Sequence, residues 1–174
     1  MNLLHNNTLG IDIGSTTVKI AVLDSEHHML FTDYERHYAN IQETLALLLS
    51  RAKEKLGEMT VSPSITGSGG LTLSGHLEVP FTQEVVAVAT ALQDYAPQTD
   101  VAIELGGEDA KIIYFTGGID QRMNGICAGG TGSFIDQMAS LLQTDASGLN
   151  EYAKNYQMIY PIAARCGVFA KSDI

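Results

Sequence analysis

Two periodicities of apolar residues follow one another along the chain and predict a mixed α/β fold. Apolar and polar residues alternate over Leu9–Gly14 and again over Val18–Leu23, which is the two-residue repeat of a half-buried β-strand. Small polar residues separate the two segments and predict a tight turn, so we expect a β-hairpin. Met29–Tyr34 is expected to form a third strand.

Three other segments carry the helical repeat, with apolar residues every three or four positions. They are Ile41–Leu56, Thr82–Tyr95 and Thr131–Leu142. Asn40 is of the type that caps a helix through its side chain, and Gly57 is of the type that ends one. We therefore expect the first helix to begin and end at these positions.

The remaining apolar runs predict further strands and a repeated organisation. These strands are Val61–Thr66, Val101–Leu105, Ile112–Phe115 and Ile119–Met123. Pro63 suits an edge strand or a strand start, because proline cannot donate to a sheet. The order β-β-β-α-β-α is followed by β-β-β-α, which suggests an internal duplication. We expect a complete first domain over residues 1–98 and an incomplete second domain over residues 99–174.

Composition and charge narrow the class of protein. The net charge of −10 argues against a nucleic-acid partner. No apolar run reaches the roughly 18–20 residues of a membrane span, and the N-terminus does not resemble a secretory signal. Two cysteines, Cys127 and Cys166, do not make a disulfide framework. We expect a cytoplasmic protein.

The turn of the first predicted hairpin contains residues that could bind a phosphate. Gly14 lets phosphate oxygens approach backbone N–H groups, and Ser15 and Thr16 add hydroxyl donors. Lys19 offers a cation, and Asp12 is placed to hold the water shell of Mg²⁺. A solvated hairpin turn remains the alternative interpretation.

The second acidic turn repeats this composition. Gly106 and Gly107 lie between the carboxylates of Glu104 and Asp109. Two such turns, facing each other across a cleft, would clamp the phosphates of a nucleotide. The chain has no P-loop motif, which excludes a P-loop NTPase. It has no dinucleotide-binding glycine motif after a strand, which argues against a dinucleotide-binding domain.

Both cysteines precede a predicted helix start. Cys127 is followed by a glycine-rich loop in which Gly130 and Thr131 are candidate cofactor-binding residues, and Cys166 is followed by Gly167. A helix N-terminus lowers the pKa of a thiol and so favours a thiolate ligand. Two buried, inert thiols are the alternative. A [4Fe-4S] cluster usually takes four thiolates, so a symmetric dimer of this chain would supply the full set.

Five segments of the chain resemble the motifs of the BadF/BadG/BcrA/BcrD-type ATPases, which activate 2-hydroxyacyl-CoA dehydratases and related benzoyl-CoA reductases. The two segments that contain the cysteines are the most specific, since phosphate motifs of this kind recur across a whole superfamily. The five segments are Leu9–Lys19, Ile65–Gly70, Glu104–Lys111, Asn124–Phe134 and Cys166–Asp173.

The resemblance implies a ribonuclease-H-like fold of the actin, sugar kinase and Hsp70 superfamily, with ATP between two domains. It implies that Asp12 helps to place Mg²⁺ and that Gly14 to Thr17 hold phosphates. It further implies a homodimer that shares one [4Fe-4S] cluster through Cys127 and Cys166. A low-potential electron would then pass to a partner dehydratase or reductase.

The sequence departs from this family at the second turn, where Glu104 replaces the usual Asp and Glu108 replaces the usual Gln. The family's adenosine-binding segment is expected beyond residue 174, so we expect the chain to be the N-terminal part of a longer protein. Two other functions fit the same residues. One is a small-molecule kinase with Asp109 as the catalytic carboxylate and structural cysteines, and the other is a nucleotide-binding module without a cluster.

Overall fold

The chain divides into two compact units, Met1–Gln98 (unit 1) and Thr99–Ile174 (unit 2). The structure, a computed structural model, describes residues 7–124, 129–163 and 166–174. Within these ranges, no helix is both long and apolar enough to cross a membrane.

Unit 1 is a four-stranded mixed sheet with helices. The sheet order is β3-β2-β1-β4, in which β1, β2 and β3 are antiparallel neighbours and β4 runs parallel to β1. A parallel return requires a crossover, which α1 provides. The elements are β1 (Asn7–Ile13), β2 (Thr17–Leu23), β3 (Met29–Arg36), α1 (Ile41–Leu56), β4 (Val61–Thr66), α2 (Gly70–Leu77) and α3 (Glu84–Tyr95).

The hydrophobic core of unit 1 lies on the side of the sheet that α1 covers. Alternate residues of the first two strands and one stripe of α1 are buried, as the two periodicities predicted. Pro63 lies on β4 at the edge of the sheet, which confirms the edge position expected for it. The buried residues are Leu9, Ile11, Ile13, Val18, Ile20, Val22, Leu45, Leu48, Ala52 and Ile65.

The turn between β2 and β3 is organised by Asp24. Its carboxylate accepts hydrogen bonds from the backbone N–H groups of His28 (2.9 Å) and Glu26 (2.8 Å). These donors, the one at His28 foremost, lower the pKa of the Asp24 carboxyl. The turn thereby directs β3 back along the sheet toward the first phosphate turn.

The start of α1 differs from the prediction. Asn40 makes no side-chain cap. Its carbonyl instead accepts both the amide (3.0 Å) and the hydroxyl (2.9 Å) of Thr44. The backbone of Asn40, at φ −100° and ψ 60°, is outside the extended conformation of a capping residue, and it follows Tyr38 and Ala39, which have left-handed φ angles of 43° and 69°.

Unit 2 contains an antiparallel three-stranded sheet of order β5-β6-β7. Its most buried residues include Ile113 on β6, and Met138 and Ala139 on α4. The predicted strands and the helix after residue 131 are confirmed, whereas α5 was not predicted. The elements are β5 (Val101–Leu105), β6 (Ala110–Tyr114), β7 (Asp120–Met123), α4 (Gly132–Leu141), α5 (Ala146–Lys154) and α6 (Gly167–Asp173).

Candidate functional site

The predicted phosphate turn of unit 1 connects β1 to β2. The amide of Gly14 donates to the carbonyl of Thr17 (2.9 Å), and Ser15 is exposed at the tip. Asp12 lies directly opposite Lys19 in the hairpin, and Lys19 Nζ is 2.7 Å from Asp12 Oδ2. Both side chains are partly exposed, so the pair contributes little to stability and stays accessible to a ligand.

The end of β4 lies beside this turn. Gly67 has φ +95°, and a Cβ placed there would lie 2.2 Å from the carbonyl oxygen of Ile13 and 2.5 Å from Asp12 Oδ1. The amide of Gly69 donates to that same carbonyl at 2.9 Å. Only glycine at position 67 lets β4 end this close to Asp12.

The side chain of Thr66 indicates that a ligand fits beside Asp12. It pairs with Asp12 across β1 and β4, and its Oγ1 is buried with no hydrogen-bond partner among the described residues. A buried hydroxyl without a partner is costly, so a ligand oxygen or an ordered water is the natural complement. The carboxylate of Asp12 and the hydroxyl of Thr66 therefore suit hydrated Mg²⁺ and a phosphate.

A large cavity extends from this position over the sheet face opposite α1. Its volume is about 1000 Å³. Asp12, Lys19 and Thr66 line the cavity. Gly10 and Ala21 also line it, and because they are small they leave space above this face of the sheet.

Unit 2 repeats the hairpin of unit 1. Glu104 faces Lys111 across β5 and β6, as Asp12 faces Lys19 across β1 and β2. The amide of Gly106 donates to the carbonyl of Asp109 at 2.8 Å, which matches the turn closure at Gly14. The expected duplication is confirmed for these two hairpins.

The second turn holds its charged groups more tightly than the first. Lys111 is buried, with Nζ 3.3 Å from Asp109 Oδ2 and 3.8 Å from Glu104 Oε1. A Cβ on Gly106 would lie 2.2 Å from Asp109 Oδ1. The side chain of Asp109 therefore folds over the turn, and a larger residue at position 106 would displace it.

Helix α4 is tied to this second turn through its first amides. Gly132 N–H donates to the carbonyl of Gly106 (2.8 Å), and Ser133 N–H donates to that of Gly107 (2.9 Å). Thr131 is completely buried, and its hydroxyl oxygen caps the amide of Phe134 at 3.3 Å. Gly130, at φ +83°, provides the left-handed bend that leads into the helix.

The first amides of α4 donate to the second turn and to the capping residue. The amides of Gly132, Ser133 and Phe134 donate to Gly106, Gly107 and Thr131. The helix end therefore supports the second turn. That this helix N-terminus favours a thiolate at Cys127 stays a prediction.

The two cysteine segments are brought together as far as the structure describes them. Cys127 lies outside the described residues. Cys166 is half-buried immediately before α6. A Cβ on Gly129 would lie 4.0 Å from the Gly167 nitrogen, and one on Gly167 would lie 3.9 Å from the Gly129 nitrogen. The backbone two residues after Cys127 therefore lies close to the backbone one residue after Cys166.

The placement of possible metal ligands among the described residues of the two units decides whether these side chains could bind a metal ion together. Over residues 7–124, 129–163 and 166–174, no three His, Cys, Asp or Glu side chains converge as a metal site. A cluster would need ligands in addition to those in the described part of the chain.

Three site residues were missed by the sequence argument. Thr66 lies in the motif-like segment Ile65–Gly70, but only strand pairing shows that it lies beside Asp12. Lys111 had one, since it follows Glu104 by the same seven residues that separate Lys19 from Asp12. His37, described below, follows β3 and belongs to no motif.

The sequence pattern of the BadF/BadG/BcrA/BcrD ATPase family matches residues 9–174. The chain belongs to this family. Within this family, the chain is similar to the 2-hydroxyisocaproyl-CoA dehydratase activator of Clostridioides difficile. The two are 28% identical over 96% of this chain and 64% of the relative. The activator of lactoyl-CoA dehydratase from Anaerotignum propionicum is 31% identical over 96% of this chain and 66% of its own length.

Solved structures agree with this membership. Component A of the (R)-2-hydroxyglutaryl-CoA dehydratase from Acidaminococcus fermentans superposes with a TM-score of 0.86 at 28% identity, over 97% of this chain and 66% of that one. The C. difficile activator with bound ADPNP gives 0.81 at 27% identity, over 96% and 63%. The expected α/β fold of the actin-like ATPase superfamily is confirmed. This chain spans about two thirds of the length of these relatives.

Proposed function

We propose that the chain forms the phosphate-binding and cluster-holding part of an ATP-dependent activator that passes a low-potential electron to a 2-hydroxyacyl-CoA dehydratase or a related reductase. One observation carries the proposal. The segment that follows Cys127 is hydrogen-bonded through Gly132 and Ser133 to the carbonyls of the second phosphate turn. A nucleotide-binding element and a cysteine-bearing element therefore share one network.

In the nucleotide role, each hairpin acts as a small cradle. Asp12 and the Thr66 hydroxyl hold Mg²⁺ through its waters, and the turn from Gly14 to Thr17 receives phosphate oxygens on its amides and hydroxyls. Lys19, now paired with Asp12 at 2.7 Å, has a flexible exposed side chain that is free to turn toward a phosphate. The similarity of this chain to a relative whose solved structure contains ADPNP supports ATP as the nucleotide.

In the redox role, Cys127 and Cys166 act as two of four thiolate ligands, and a second copy of the chain supplies the other two. When bound, a [4Fe-4S] cluster supplies one electron at low potential. The contact between Gly129 and Gly167 supports this role, because it brings the two cysteine segments to one place.

The same contacts suggest how nucleotide state reaches the cysteines. A shift of the carbonyls of Gly106 and Gly107 moves the first turn of α4, because Gly132 and Ser133 donate to them. The chain that leads into α4 includes Gly129, which lies close to Gly167. Both cysteine segments then move with the turn.

The test is the iron content of protein purified without oxygen. The wild-type chain should be brown, with about four iron atoms per dimer. Cys127→Ser and Cys166→Ser should each lose most of the iron and shift the protein toward monomer. Ser147→Ala, an exposed change on α5, serves as the control and should retain both. A colourless, iron-free wild-type dimer or monomer would rule out the redox role, while MgATP binding by calorimetry tests the nucleotide role separately.

A further inference from the structure

We propose that His37 is a positioning residue of the first phosphate turn, and that its ring holds the carbonyl of Gly14 in the orientation that nucleotide binding needs. This inference rests on the proposed nucleotide role of unit 1. His37 lies immediately after β3 and is 8% exposed. It touches the turn twice, since its amide donates to the carbonyl of Thr16 (3.1 Å) and its Nε2 lies 3.2 Å from the carbonyl oxygen of Gly14.

The backbone partners fix which ring nitrogen carries the proton. The amide of Ala39 donates to Nδ1 of His37 at 3.1 Å, and an amide N–H is only a donor. Nδ1 is therefore the unprotonated nitrogen, and Nε2 carries the hydrogen. The carbonyl of Gly14 is only an acceptor, so the Nε2–H donates to it. No other assignment satisfies both contacts.

The local backbone is strained in a way that serves this arrangement. Tyr38 and Ala39 both have positive φ, at 43° and 69°, which side chains other than glycine rarely adopt. This bend returns the amide of Ala39 to the ring and brings the amide of Asn40 to the carbonyl of His37 at 2.6 Å. Strained residues persist where the surrounding contacts over-determine them, and they concentrate at functional sites.

His37 acts through the turn and not on a ligand. Both ring nitrogens are used by backbone groups, so neither is left to contact a phosphate. The carbonyls of Gly14 and Thr16 share their peptide planes with the amides of Ser15 and Thr17, and the contacts with His37 fix both planes. Those planes carry the amides that would face a phosphate, and a binding site loses affinity when such groups are not held in place.

Two substitutions separate the two ring contacts. In His37→Gln the side-chain amide nitrogen reaches the position of Nε2 and keeps the donor to Gly14. In His37→Asn the side-chain oxygen reaches only the position of Nδ1, so it keeps the acceptor for Ala39 and loses the donor. His76→Asn is the matched control, because the ring of His76 is exposed and bonds only its own helix at the carbonyl of Thr72 (2.9 Å).

The readouts are the Kd for MgATP from calorimetry, the melting temperature, and hydrogen exchange at the amides of residues 14–17. We expect His37→Asn to weaken binding about tenfold, the size of one lost hydrogen bond, with faster exchange and a melting temperature lower by a few degrees. His37→Gln and His76→Asn should stay within about threefold of wild type.

Each outcome decides the question. Unchanged binding and exchange in folded His37→Asn would overturn the inference, as would an equal loss in both variants of His37. If His37→Asn does not fold, His37→Gln decides, with near-wild-type affinity in support and weak affinity against. If wild-type protein does not bind MgATP, the nucleotide role fails, and the exchange rates alone test whether His37 holds the turn.

Discussion

At the scale of single residues, the site depends on two glycines, and at Gly67 any other residue would be strained. Gly67 and Gly106 both lie where a Cβ would come within 2.2 Å of an oxygen atom. In each case the crowding oxygen belongs to the segment that carries a candidate carboxylate, Asp12 or Asp109. Absence of a side chain therefore sets how closely the acidic residues approach the turns.

Gly67→Ala should destabilise unit 1 by about 2 kcal/mol or more, because alanine is strained at φ +95° and its Cβ collides with Ile13. Urea unfolding measures the loss. Gly75→Ala on α2 is the matched control, since a Cβ there meets nothing within 4 Å. It should stabilise by roughly 0.5–1 kcal/mol, as expected for removal of a helical glycine. Equal effects of the two changes would contradict the assigned strain.

At the scale of elements, the long amphipathic helices were predicted well, whereas two of the short helices were missed. Helix α1 was expected at Ile41–Leu56 and is found there. Helices α2 and α5, of eight and nine residues, were missed. A short helix shows too few turns for a stripe of apolar residues to be recognised, and tertiary packing supplies most of its stability.

Neighbouring leucines on α1 test which face is buried. Leu48 is fully buried whereas Leu47 is 44% exposed. Leu48→Ala should cost about 2–5 kcal/mol through lost burial and the cavity it leaves. Leu47→Ala should cost less than about 1 kcal/mol. Denaturant unfolding of both variants checks this, and the reverse order would show that the face of α1 is wrongly assigned.

At the scale of the whole molecule, the two units each carry one copy of the acidic hairpin. In unit 1 the hairpin belongs to a sheet whose core cluster lies within residues 9–65. Such a core is typical of a domain that folds by itself.

A chain of residues 1–98 should therefore unfold cooperatively in urea, with a single transition by circular dichroism and by tyrosine fluorescence. Leu48→Ala in the same fragment should lower the midpoint, which shows that the transition reports this core. A broad transition, or two that do not coincide, would show that unit 1 depends on the rest of the chain.

Much of the candidate site was already indicated by residue order. Asp12 and Lys19 lie on opposite arms of a predicted hairpin, and the same holds for Glu104 and Lys111. Alternation and turn composition are local properties, so they are visible in the sequence. The predicted cap at Asn40 was wrong because its backbone, at φ −100° and ψ 60°, is not in the extended conformation from which a side chain caps a helix.

The sequence by itself determined the two hairpins, the long helices and the pair of cysteine motifs, because each depends on residues close along the chain. Only the tertiary structure placed Thr66 beside Asp12, His37 behind Gly14, and the first amides of α4 on the second turn. These contacts join residues 23 to 54 positions apart. Strand pairing and packing decide such contacts, and no local periodicity records them.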